Sequence, residues 1–249
     1  MSRQNILITG ASSGLGLTMA KMFAKQGRNL ALCARRIERL EELKDEIAQI
    51  TPNVQVVIRQ LDVNDHDQVF SVFKAFAEDL GHIDRVIVNA GMGKGAPLGT
   101  GYFQANKQTA VTNFVSALAQ CEAALEMFRA QNHGHLVTIS SVSAFRGFGG
   151  AVSVYAATKA AVTSLTEGIR LDLHGTPIKV TTIHPGYIRT EINEKVKNAP
   201  FMVDAETGTR ALVKAIEKEG ASYIVPAWPW SIVARLMKVA PLSLMAKLS

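Results

Sequence analysis

Tyr155 and Lys159 stand four residues apart in YAATK, a spacing that puts both side chains on one face of a helix. An isolated phenol with a pKa of about 10 is a poor proton acceptor at neutral pH. A fixed ammonium beside it stabilises the phenolate, so that Tyr155 can give and take a proton at a working pH. That pairing suits the interconversion of a carbonyl and an alcohol. A second set of residues suits phosphate: TGASSGLG, Thr9 to Gly16, follows the apolar run Ile6 to Thr9 and precedes a helical segment through Lys21 to Gln26. Glycines at 10, 14 and 16 allow a tight turn and close backbone approach to a pyrophosphate at a helix N-terminus.

These residues must be held by a regular frame. Strand-length apolar runs occur at Ile6 to Thr9, Leu30 to Ala34, Val54 to Leu61, Arg85 to Asn89, His135 to Ser140, Lys179 to His184 and Ser222 to Val225. Helical periods lie between them: Ile37, Leu40, Leu43, Ile47 and Ile50 mark one, and Val69, Phe73, Phe76 and Leu80 another, with Asn64 as its expected N-cap. Near-continuous strands alternating with helices predict an α/β, Rossmann-like, doubly wound parallel sheet of about seven strands with helices on both faces. At 249 residues, one domain over 1–249 is expected.

Bulk properties narrow the class. No run of about 18 apolar residues is present, so no spanning helix is expected. MSRQN leads straight into the first strand without a hydrophobic leader, which predicts a cytoplasmic protein. Cys33 and Cys121 have no Cys or His at metal-ligand spacing and read as buried packing residues, so no metal site is expected. A net charge of +6 is spread along the chain, and aromatic residues are 6%, which argues against nucleic-acid binding.

The order of the glycine loop, NAG (Asn89 to Gly91), Asn113, Ser141, Tyr155, Lys159 and PG (Pro185 and Gly186) resembles the short-chain dehydrogenase/reductase family over nearly the whole chain. The loop departs from GxGxxG and matches that family's TGxxxGxG. The resemblance implies a catalytic tetrad of Asn113, Ser141, Tyr155 and Lys159. Ser141 would hydrogen-bond the carbonyl oxygen that Tyr155 protonates, Lys159 would depress the Tyr155 pKa and meet the nicotinamide ribose, and Asn113 would hold a water leading to solvent. Ser140 and Ser143 compete with Ser141, since fourteen residues separate Ser141 from Tyr155 and AFRGFGGAVSV between them has three glycines.

The same resemblance implies cofactor contacts from Gly10, Ser12, Ser13, Gly14, Leu15 and Gly16, from Asp62 and Val63 at the adenine, and from Asn89, Ala90 and Gly91. Pro185, Gly186, Ile188 and Thr190 in PGYIRT fall towards the nicotinamide. Asp62 reads alternatively as a helix cap. Where an NAD-selective enzyme places Asp or Glu after the second strand, this chain has Ala34, Arg35 and Arg36. Two guanidinium groups suit a 2′-phosphate, so NADP(H) is expected, with Arg35 as first contact and Arg36 as second contact or surface residue.

The substrate side is expected from MGKGAPLG, from Phe145, Phe148 and Val152, and from a lid over 191–203 with Ile192, Val196, Phe201 and Met202; these suit a hydrophobic carbonyl or alcohol. A non-catalytic NADP(H)-binding regulator with the same fold is the alternative. The tail over 226–249 interleaves Trp228, Trp230, Ile232, Val233, Leu236, Met237 and Val239 with Arg235 and Lys238. It reads as a helix at a subunit interface or over the substrate entrance, or as an amphipathic helix on an anionic membrane surface; Pro226, Pro229 and Pro241 shorten it and favour the first. Ala156, Ala157, Ala160 and Ala161 on the Tyr155 helix would let another helix approach, and the family resemblance implies a homodimer or homotetramer.

Overall fold

The central apolar runs become strands because both of their faces are covered. In a computed structural model, which describes residues 3–93, 95–193 and 199–248, they form β1 (Asn5–Thr9), β2 (Asn29–Ala34), β3 (Val56–Gln60), β4 (Arg85–Val88), β5 (Gly134–Ile139), β6 (Ile178–Pro185) and β7 (Ser222–Val225). Every residue of β1, β4 and β5 is buried. Among the described residues these strands make one sheet in the order β3-β2-β1-β4-β5-β6-β7, parallel throughout. The doubly wound reading of the sequence holds.

Alternate residues of each strand feed different cores. Ile6 and Ile8 pack with α1 (Gly14–Lys25), α2 (Ile37–Ile50) and α7 (Ala205–Glu217) through Phe23, Leu40, Leu43, Leu212 and Ile216. Leu7 faces the other way, towards α3 (His66–Leu80), α5 (Ser116–Gln131) and α6 (Ser153–Asp172), where Phe73, Phe76, Phe128 and Val162 lie. From β1 the chain winds outward to β2 and β3, then returns to place β4 on the other side of β1. The crevice beyond the carboxyl ends of β1 and β4 is the switch point where such sheets bind ligands.

Two local expectations are corrected. Asp65, not Asn64, caps α3, its carboxylate accepting from the Gln68 amide at 3.1 Å. The Asn64 carbonyl instead accepts from the Thr112 and Ser116 hydroxyls, both at 3.0 Å, so it is spent on a tertiary contact. Ile50, in the last turn of α2, is 49% exposed because the helix has passed the edge of its core. Cys33 and Cys121 are buried and unpaired, and burial pushes the Cys121 thiol up to about 12.

Candidate active site

The glycine loop joins β1 to α1 beside the end of β4. Gly10 has φ +66°, and a Cβ there would stand 2.9 Å from the Ala90 Cα; one at Gly16 would stand 2.4 Å from the Gly10 carbonyl oxygen. Only glycine leaves this cradle open to a phosphate. The Thr9 hydroxyl accepts from the Asn89 and Ala90 amides at 3.1 Å each, while the Asn89 side-chain amide donates to the Thr9 carbonyl at 2.9 Å. The NAG segment therefore builds the loop's floor, and Thr9, which sequence reasoning passed over, is its anchor. Ser13 precedes α1 without closing its first amides, and Thr190 packs beside Gly14. Leu15 packs against the core. These residues fit a pyrophosphate.

At the end of β2, Arg35 and Arg36 are both exposed. Arg36 donates through Nε and Nη2 to the Ser12 hydroxyl at 3.3 and 3.2 Å and lies 3.5 Å from Glu191. Arg36 is therefore the guanidinium held against the glycine loop, because α2 begins at Ile37 and leaves Arg36 as its N-cap residue. Arg35 contributes a backbone carbonyl to Gln60 Nε2 at 2.8 Å and leaves its own guanidinium outward. Asp62 does not cap α3; its carboxylate accepts from the Asn64 amide at 3.0 Å, beside the buried Val63.

The residues expected to transfer a proton converge where α6 begins. Lys159 Nζ lies 5.8 Å from the Tyr155 ring centre and donates to the Ile139 carbonyl at 2.8 Å. Ser141 caps a short 3-10 turn, Val142–Phe145, accepting from the Ser143 amide at 3.1 Å, and its hydroxyl is near enough to Tyr155 to lower the phenol's pKa. Ser140 is turned into the α6 packing, bonding the Lys159 carbonyl at 2.9 Å and the Thr163 hydroxyl at 2.8 Å. The buried Ser143 hydroxyl has no partner among the described residues. Of the three serines, Ser141 is the one brought to the phenol.

Burial raises the Tyr155 pKa above its ordinary value, against the lowering effect of the Ser141 bond, and Tyr187 adds to the rise. Desolvation brings Lys159 down to about 8. Desolvation sets the direction of the Tyr155 shift, and the Lys159 ammonium is aimed at a backbone carbonyl. Asn113 is buried. It sits in a π-turn, Val111–Val115, between α4 (Phe103–Ala110) and α5. Its side chain accepts from the Met92 amide at 2.8 Å and donates to the Met92 carbonyl at 2.9 Å, so it fastens the loop after β4. Gly91 lies between Asn113 and Lys159.

On the substrate side, PGYIRT runs from the end of β6 with Ile188 buried and bridged to Val203. Trp230 lies against the Gly186 backbone, 5.7 Å from the Tyr187 ring and 6.0 Å from that of Phe201. Phe145 stacks on His184 at 4.6 Å, with Lys238 Nζ 4.8 Å from its ring centre. His184, buried beside the Ser141 carbonyl, is pushed down to about 4 by desolvation. Phe148 and Met202 are half-buried, whereas Val152 and Phe201 are 45% and 55% exposed. Val196, Lys94 and the middle of the expected lid fall outside the described residues.

The tail forms α8 (Ala227–Val239) and α9 (Leu242–Leu248) and has two faces. Trp230, Ala234 and Met237 are buried inward, while Trp228, Ile232, Leu236 and Val239 are exposed. The inward face covers the Gly186 and Phe145 segments, and Arg146 donates to the Ala240 carbonyl at 3.0 Å. No helix among the described residues is long and apolar enough to cross a membrane.

Known proteins share this arrangement. Residues 4–200 match the family described as short chain dehydrogenase. An uncharacterized oxidoreductase of Mycobacterium tuberculosis is 53% identical over 97% of this chain and 95% of its own length. A short-chain dehydrogenase from Sphingobium yanoikuyae, solved in complex with NADPH, superposes with a TM-score of 0.82 at 28% identity over 98% of this chain and 96% of that one. A short chain dehydrogenase/reductase from Burkholderia phymatum, solved with NAD, has the same fold at a TM-score of 0.84 and 22% identity, over 94% and 92% of the two chains. Family match, sequence relatives and fold agree, and the chain is an oxidoreductase of the short-chain dehydrogenase family.

Proposed function

We propose that the protein is an NADP(H)-dependent oxidoreductase that interconverts a hydrophobic carbonyl compound and its secondary alcohol, with Tyr155 as general acid and base. The observation that carries this reading is the half-buried Tyr155 phenol, with Lys159 Nζ 5.8 Å from its ring centre one helical turn away and Ser141 near enough to lower its pKa. Two hydroxyls converging on one point can hold a carbonyl oxygen, and the raised Tyr155 pKa keeps the phenol protonated, ready to donate in the reducing direction. A bound nicotinamide supplies or accepts the hydride. Lys159 places a cation beside the phenol as it loses its proton. Asn113 and Thr158 steady the loop and helix that carry these groups, bonded to each other at 3.3 Å. The Tyr187, Trp230 and Phe201 rings support an apolar substrate.

For the cofactor, Ser12, Arg35 and Arg36 would receive a 2′-phosphate with charge-assisted bonds. The NADPH-bound Sphingobium yanoikuyae relative supports that choice, and the NAD-bound Burkholderia phymatum fold marks the competing one. Turnover of a panel of ketones and aldehydes with NADPH and with NADH tests it. NADPH is expected to be preferred, and Arg36→Ala to raise its KM by about 10-fold or more while leaving that of NADH nearly unchanged, as loss of a charge-assisted bond requires. Equal effects on both cofactors would contradict the assignment. Self-association is proposed through the face of α4 and α6, where Phe114, Val115, Val154, Ala157 and Ala161 line an apolar groove of about 320 Å³. Ala156 is excluded from that face because it is buried inward.

A further inference from the structure

A cluster at the far end of the sheet takes no part in this chemistry. Asp84 stands immediately before β4, His82 lies in the connection from α3, and His133 immediately precedes β5. Parallel pairing of β4 with β5 sets Arg85 opposite His135, so the residues leading into both strands meet. His82 Nε2 is 3.5 Å from Asp84 Oδ2, and His133 Nε2 is 3.6 Å from Asp84 Oδ1. One ligand atom from each residue lies within 4.8 Å of the others.

These separations are long for N–H···O hydrogen bonds, which fall at about 2.7–3.2 Å. The 3.6 Å between His133 Nε2 and Asp84 Oδ1 is close to the roughly 3.4 Å between neighbouring ligand atoms around a tetrahedral ion with metal–ligand bonds of about 2.1 Å, and the His82 ligand atom lies within 4.8 Å of both. The supporting bonds fit as well. Asp84 Oδ2 already accepts from the Gln4 and Asn5 amides at 2.8 and 2.9 Å, which fixes the carboxylate on the start of β1 and leaves Oδ1 available. His133 Nδ1 lies 3.0 Å from the Gln131 carbonyl. Donation there leaves the Nε2 lone pair facing Asp84, the orientation that metal-binding imidazoles take from an outer partner. The Asp84 side chain is 11% exposed, whereas those of His82 and His133 are 48% and 41% exposed, so an ion can enter from solvent and keep a water.

We propose that His82, Asp84 and His133 bind a divalent transition-metal ion, of which Zn²⁺ suits two imidazoles and one carboxylate with a solvent-filled fourth position. The ion would tie the connections before β4 and β5 to the start of β1, raising thermal stability without entering catalysis. Untagged, chelator-stripped protein is titrated with Zn²⁺ against a chromophoric chelator, and its melting temperature is followed with and without the ion. One equivalent is expected to bind in the micromolar range with a rise in melting temperature, and His82→Gln and His133→Gln should each weaken binding by at least about tenfold. Mg²⁺ should give neither effect. Co²⁺ on the unmodified protein should give the strong visible absorption of a tetrahedral site, a readout that does not depend on the variants folding. Absence of micromolar Zn²⁺ binding, unaltered binding in both folded variants, or a Co²⁺ spectrum of the hydrated ion would each overturn the proposal.

Discussion

Two buried cations at opposite ends of the sheet are treated in opposite ways. Arg85, at the start of β4, is fully buried and is met by Glu217, Glu219 and His135 Nδ1, the last at 2.8 Å. Lys159, beside the end of β5, is 7% exposed and donates to the Ile139 carbonyl; none of the ion pairs among the described residues includes it. A buried charge that is paired contributes to a fixed structure, and one left without a counter-ion costs stability but is free to act on a neighbour. The amino end of the sheet is built for stability, and the carboxyl end keeps an unpaired cation at the proposed proton-transfer site.

The largest expected effects separate these ends. Lys159→Met should lower turnover by about 10²–10⁴-fold while leaving stability equal or higher. Arg85→Met should leave kcat per folded molecule nearly unchanged but cost about 3 kcal/mol, as expected when one member of a buried pair is removed. Thermal melts and kinetics on both variants check this, and the reverse pattern would break the contrast. Next in size is the serine pair. Ser141→Ala should lower kcat by about 10²–10³-fold, as loss of an oxyanion donor does, whereas Ser140→Ala should cost about 1 kcal/mol of stability with little kinetic effect.

The smallest effects are pH-dependent. Lys159 is brought down to about 8 in the folded state, below the ordinary lysine value, so between these values the unfolded chain holds more protons and stability rises with pH. The stability advantage of Lys159→Met should therefore be present at neutral pH and shrink above about 8. At the amino end, burial and the Arg85 charge lower His135 to about 3. Its contribution is lost as pH falls from the ordinary imidazole range towards that value, and His135→Gln should flatten that part of the melting curve.

Much of this contrast was legible in the sequence, but unevenly. The strands were readable because a doubly covered parallel strand is apolar on both faces, and β7 begins and ends where its run does. The glycine loop and the Tyr155–Lys159 spacing were readable because they are local. Choosing among Ser140, Ser141 and Ser143 needed the 3-10 turn, which leaves no periodic mark among the glycines of that loop. That Arg36 is held against Ser12 depended on the residue at which α2 starts. The engagement of Asn113 with Met92, the Trp230 packing on Gly186 and the meeting of His82 with His133 all arise from tertiary contacts between distant segments.

The most direct test of the account is Tyr155→Phe, assayed for NADPH-dependent carbonyl reduction alongside cofactor binding by the same preparation. Removal of one hydroxyl should lower kcat/KM by about 10²–10⁴-fold, the usual worth of a positioned acid, with NADPH affinity nearly unchanged. Undiminished turnover in the folded variant would contradict the assignment of Tyr155 as the proton donor.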